Sequence, residues 1–149
     1  SQVPDVKVLI VGDGPEMNRL KLLAKELDLE QSISFLGFVE DYNYALSLMK
    51  SSRIFVSPST REGFGMAALE ANACGIPVVT VAHAMNAVMD LIGKDTGLIC
   101  QPDEEDLSRA ILTLLLSQSI NKERCIEAAK EYDWDAVCNR AERVYDQTS

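Results

Sequence analysis

Arg53-Ile54-Phe55-Val56-Ser57-Pro58-Ser59-Thr60-Arg61-Glu62-Gly63-Phe64-Gly65-Met66-Ala67-Ala68-Leu69-Glu70-Ala71-Asn72-Ala73-Cys74-Gly75-Ile76-Pro77-Val78-Val79-Thr80-Val81 is the stretch that decides the fold. Arg53 to Ser57 reads as a buried strand stopped by Pro58, which has no backbone donor to continue a ladder. Gly65 to Cys74 is a short alanine-rich helix, and Gly75-Ile76-Pro77 ends it before a second strand, Val78 to Val81. A strand, a crossover helix and a strand make a parallel pair. The loop between the first strand and the helix therefore leaves the carboxyl end of a sheet, where open α/β sheets bind ligands. Gly63 and Gly65 let backbone approach a ligand closely. The helix start adds unpaired N–H groups and a partial positive charge, a fitting place for a diphosphate or sugar oxygen. Glu62 precedes the helix and Glu70 lies about a turn and a half inside it. At that spacing the two carboxylates do not share one proton or one metal; they suit two hydroxyl-bearing groups of one extended ligand. Taken singly, Glu62 also reads as a carboxylate stabilised at a helix start and Glu70 as an exposed helix residue.

The same alternation extends in both directions. Val6 to Val11 is a strand, Gly12-Asp13-Gly14-Pro15 turns it, and a helix over 16–28 carries Leu20, Leu23, Ala24 and Leu27 on one face. Gly12-x-Gly14 invites a dinucleotide-loop reading, but Met17 stands where a third glycine belongs. A tight strand-to-helix turn and a nearby phosphate or sugar contact both remain open for it. Ile33 to Leu36 is the next strand, ending at Gly37, and Asp41 caps a helix using Ala45, Leu46, Leu48 and Met49. After Val81, a helix from about Asn86 to Ile92 leads to a strand Gly97 to Cys100. Asp103 then caps a helix rich in Leu112, Leu114, Leu115 and Leu116, and helices over 121–131 and 134–146 finish the chain. This is a single α/β domain over 1–149, a parallel sheet covered on both faces.

Composition narrows the function classes. The 149 residues are 47% hydrophobic and 25% charged, with 14 Lys and Arg against 23 Asp and Glu, a net charge of −9. That balance repels nucleic-acid phosphates, and no basic cluster with interleaved aromatics offsets it. His83 is the only histidine in the sequence, which leaves neither a histidine-based metal cluster nor a Ser-His-Asp arrangement. Cys74, Cys100, Cys125 and Cys138 show no CxxC pairing and read as reduced thiols of a cytoplasmic protein. No apolar run approaches the length of a bilayer span, so no membrane contact is expected from this segment.

Val8-Leu9-Ile10-Val11-Gly12-Asp13-Gly14-Pro15, Ile33-Ser34-Phe35-Leu36-Gly37, Val56-Ser57-Pro58-Ser59, Glu62-Gly63-Phe64-Gly65, Leu69-Glu70-Ala71, Gly75-Ile76-Pro77-Val78-Val79 and Thr96-Gly97-Leu98-Ile99 occur in that order, followed by Trp134 and Tyr145. In this series the chain resembles the C-terminal, donor-binding domain of the retaining family-4 GT-B glycosyltransferases (glycosyl transferases group 1), including their E-x7-E spacing. The resemblance implies a Rossmann-like three-layer α/β/α fold and a nucleoside-diphosphate sugar of the UDP, GDP or ADP type as donor. It gives Glu62 the catalytic position. It has Glu62 and the amides of Phe64, Gly65 and Met66, beside Gly63, hold the donor sugar, and Glu70 bind the ribose hydroxyls. The turn at Gly12 and Gly14 lies toward the phosphates or sugar, and backbone at Phe38 and Val39 meets the base. It implies no cofactor and no metal, helix starts and basic side chains neutralising the leaving diphosphate.

Three departures shape the expectations. In the family a strand and helix carrying an Arg and a Lys precede the strand at Val8, and an N-terminal GT-B domain precedes those; neither falls within residues 1–149. The remaining five strands either close up in the order 2-1-3-4-5, a flavodoxin-like arrangement, or leave a gap whose unpaired edge invites self-association. The fragment alone is then expected to be inactive, with a non-catalytic nucleotide-binding or assembly module as the alternative. The loop Ala82-His83-Ala84-Met85-Asn86-Ala87 stands where relatives carry Gly-Gly, and Asn86 reads as a helix cap. Arg53 replaces a usual acidic residue, and Arg61 reads as solvated or structural, with compensation for the missing basic groups as the other reading. Trp134 and Tyr145 share a helix face and read as core.

Overall fold

The computed structural model describes residues 6–117 and 120–147. The chain divides into two compact units, Ser1–Leu48 and Met49–Ser149.

In the first unit, strands β1 (Val8–Val11) and β2 (Ile33–Gly37) run parallel, joined by helix α1 (Met17–Glu26). β1 is shorter than its apolar run, and α1 begins two residues beyond Pro15. The helix ends at Asp28, which takes a left-handed conformation with φ 54°. Its N–H reaches the Lys25 carbonyl and that of Leu29 reaches Ala24, the paired closure that usually recruits glycine. Of the predicted inner face of α1, Ala24 is buried but Leu23 and Leu27 are exposed, as are Val8, Leu9 and Val11 on β1. Helix α2 (Tyr42–Ser51) opens as expected, with Asp41 Oδ1 accepting from the N–H groups of Asn43 and Tyr44.

The second unit has a three-stranded parallel sheet in the order β3 (Phe55–Ser57), β5 (Val78–Val81), β7 (Gly97–Cys100). Every residue of β5 is buried, which accounts for its uninterrupted β-branched sequence. Val79 and Val81 pack with Cys100 and with Ala110 and Leu114 of helix α5 (Glu104–Leu116). Val78 and Thr80 face the other side of the strand. Helix α3 (Met66–Ala73) and the four-residue helix α4 (Val88–Leu91) also lie against β5. Helix α6 (Lys122–Lys130) packs on α3, burying Cys125 completely, and helix α7 (Trp134–Asp146) follows it. Gly75 closes α3 at φ 78°, its N–H and that of Ile76 returning to Asn72 and Ala71. Buried Asn72 donates through Nδ2 to the carbonyls of Ile76 and Thr96, tying that turn to the start of β7.

The expected order 2-1-3-4-5 is met as 2-1 in the first unit and 3-4-5 in the second. Two short strands were not foreseen: β4 (Arg61–Glu62) pairs in parallel with β6 (Met85–Asn86). The helix expected from Asn86 therefore starts only at Val88, because Asn86 is spent in a strand. Trp134 and Tyr145 are 81% and 74% exposed, so their shared face is a surface and not core. The core is completed by β5, α3, α5 and α6, which leaves α7 with no buried residue.

Candidate functional site

In the first unit the candidate residues gather where β1 and β2 end. Gly12 follows β1 with φ 125°, a conformation that L side chains rarely adopt, and its N–H donates to the Gly37 carbonyl at 2.7 Å. Gly14 has an ordinary φ and open space where a Cβ would be, and its N–H is bound by Asp13 Oδ1 at 2.7 Å. The demand for glycine thus falls on Gly12, for turn geometry. Past Gly37, Phe38 is exposed and Val39 half-buried, on the loop neighbouring that of Gly12.

In the second unit the remaining candidates surround the start of α3. Glu62 lies on β4, half-buried, and Glu70 lies in the second turn of α3, also half-buried. Gly63, Phe64 and Gly65 connect the two elements. Gly65 is the helix cap with φ 90°, and a Cβ on it would collide with the Val88 side chain. Its carbonyl accepts the first intrahelical bonds, from Ala68 and Leu69. The amides of Gly65 and Met66 therefore stand ahead of the ladder, at the positive end of the helix. Arg61 is exposed beside Glu62.

The structure also brings in one residue that the motif reading missed. Tyr132 meets Phe64 edge to face. His83, after β5, accepts from the Met85 N–H through Nδ1 at 3.3 Å, shaping the loop that carries β6. Asn86 is the loop's buried polar centre; its Oδ1 accepts from the Val88 N–H at 3.2 Å, but the residue that caps α4 is Ala87 and not Asn86 as expected. Arg53 is structural: its Nη2 donates to the Leu115 carbonyl at 2.8 Å, near the C-terminus of α5. The thiols of Cys74, Cys100, Cys125 and Cys138 are free. No helix among the described residues is long and apolar enough to cross a membrane.

Parallel strands joined by crossover helices and ending in glycine-bearing turns define an α/β domain of the doubly wound class. The chain belongs to the family described as glycosyl transferases group 1, whose profile matches residues 1–132. Its fold is the Rossmann-like one of GT-B glycosyltransferases. It is 32% identical over 146 residues to a phosphatidylinositol N-acetylglucosaminyltransferase subunit from Arabidopsis thaliana, covering 97% of this chain and 32% of that protein. Sucrose-phosphate synthase from Thermosynechococcus elongatus superposes with a TM-score of 0.81 at 28% identity, over 99% of this chain and 39% of that one. Anabaena HepE, solved in complex with UDP, gives 0.75 at 26% identity, over 98% of this chain and 42% of that one. The chain thus spans about a third of the length of the curated relative it matches.

Proposed function

We propose that this chain is the nucleotide-sugar-binding, C-terminal half of a longer retaining glycosyltransferase that moves a sugar from a nucleoside-diphosphate donor to an acceptor. The observation that carries the reading is the glycine loop from Glu62 to Gly65, opening a helix that holds Glu70 in its second turn. Glu70 accepts from the ribose hydroxyls. Glu62 and the amides of Phe64, Gly65 and Met66 grip the sugar, and Glu62 acts at the reacting end of the donor without forming a covalent bond. The turn at Gly12 and Gly14 borders the phosphates or sugar, and backbone at Phe38 and Val39 meets the base. Family membership and the UDP complex of the Anabaena neighbour support a nucleotide donor.

The leaving diphosphate is neutralised by helix-start amides and by basic residues of a preceding strand-helix unit, with no divalent metal. That unit also covers the exposed apolar side chains of β1. The acceptor site belongs to an N-terminal domain, and the whole works in the cytoplasm. The 149-residue chain alone therefore binds donor weakly and transfers nothing. Assaying sugar transfer by this chain and by the longer protein, with and without EDTA, tests the reading. Turnover by the short chain overturns the division of labour, EDTA inhibition overturns metal independence, and an inverted anomeric configuration in the product overturns retention.

A further inference from the structure

Glu62 sits on a strand of only two residues, and the strand that holds it, β6, is equally short. Such a pair has almost no stability of its own. Its anchor is the side chain of Asn86, which is 3% exposed. Nδ2 donates to Thr80 Oγ1 at 3.0 Å and to the Val81 carbonyl at 2.8 Å, and Oδ1 accepts from the Val88 N–H at 3.2 Å. Both amide donors are therefore used. Thr80, fully buried in the central strand, accepts from Asn86, and its own hydroxyl donates a hydrogen bond to the Ser57 carbonyl at 3.0 Å. The main chain of Asn86 lies opposite Glu62, and the Ala87 N–H donates to the Glu62 carbonyl at 3.0 Å.

One buried polar chain thus runs from β3 through β5 to β6 and ends on the backbone of Glu62. It reaches the other end of the glycine loop as well: Val88, bonded to Asn86, is the residue against which Gly65 has no room for a Cβ. Resting on the donor-site reading above, we infer that Thr80 and Asn86 are positioning residues for the sugar-binding end of the donor site, setting Glu62 and Gly65 at once. They touch no ligand themselves. Glu70 lies in the second turn of α3, on neither of the two short strands that Asn86 anchors, so the sugar-binding end of the site is the end these residues set.

The test compares Thr80→Val, which keeps the shape and removes the hydroxyl, with Thr80→Ser, which keeps the hydroxyl. Titration calorimetry on the longer protein measures affinity for the UDP and UDP-glucose pair and the GDP and GDP-mannose pair, using whichever the wild type binds. Loss of a well-made buried polar contact predicts that Thr80→Val changes the ratio of sugar-nucleotide to nucleoside-diphosphate affinity by about ten-fold, with nucleoside-diphosphate affinity itself held within about two-fold. Thr80→Ser returns the ratio toward wild type. A general loss of structure would weaken both ligands together, and that result, or an unchanged ratio, overturns the positioning role. Should Thr80→Val fail to fold, Thr80→Ala, which also removes the hydroxyl that joins Ser57 to Asn86, takes its place with the same supporting and overturning ratios. A wild-type protein that binds neither pair overturns the donor-site reading itself, and this assignment with it.

Discussion

Phe64 and Tyr132 meet edge to face, with ring centroids 6.0 Å apart and planes inclined by 70°. Phe64 belongs to the glycine loop, while Tyr132 stands just beyond α6, the helix that packs on α3. The pair braces the loop from outside the sheet. The contact uses the ring and not the hydroxyl, so Tyr132→Phe should match wild type in denaturant unfolding. Tyr132→Ala should lose about 0.5–1.5 kcal/mol for the ring pair, with weaker donor binding.

Gly65 is closed to other residues on two counts, its positive φ and the side chain of Val88. Gly65→Ala should cost roughly 1–3 kcal/mol of stability. It should also weaken sugar-nucleotide binding, because the helix-start amides move with the cap. Gly14→Ala, at an ordinary φ with open space around it, should change stability far less. Thermal unfolding of the two variants side by side checks the contrast.

The strand-turn-helix succession was legible because its signals are local. Pro58 stops β3, the run Val78 to Val81 marks a strand buried on both faces, and Asp41 and Asp103 cap their helices as read, Asp103 Oδ1 accepting from the Asp106 N–H. Gly75 and the helix over 134–146 also fell where pattern placed them. What escaped was set by tertiary context. β4 and β6 are too short to show a period of two, and their pairing depends on the side chain of Asn86 reaching into the sheet. Trp134 and Tyr145 lie on one helix face as their spacing implies, but spacing says nothing of whether another element covers that face. The glutamates and glycines of the site were legible as a group; the support from Thr80, Val88 and Tyr132 was not, because it joins positions far apart in the chain.

Arg53 donates to the last turn of α5 through an exposed side chain. Arg53→Ala should therefore lower stability by about 0.3–1 kcal/mol, less at high salt. Donor affinity should stay at its wild-type value, since the contact lies away from the glycine loop. Chemical denaturation at two salt concentrations, followed by one nucleotide titration, separates the two statements.

Burial of Cys125, on α6, pushes its thiol from the ordinary 9.0 up to about 11. In the unfolded chain the thiol ionises near its ordinary value, so stability from keeping it neutral is fully present below about pH 9 and is lost as pH rises toward 11. Denaturation midpoints of wild type should fall across that window. The fall should be shallower in Cys125→Ala, whose lower starting stability reflects the lost packing. Parallel curves for the two proteins would contradict the assignment.

The claim that this half of the fold binds a nucleotide-sugar donor through its two glutamates is tested most directly by calorimetric titration of UDP, GDP and ADP into the longer protein and its Glu70→Ala variant. Wild type should bind at least one nucleotide saturably, and the variant should lose about ten-fold or more in affinity, the cost of removing a charged acceptor from the ribose hydroxyls. Absence of heat with all three nucleotides, or an affinity unchanged by Glu70→Ala, would contradict the claim.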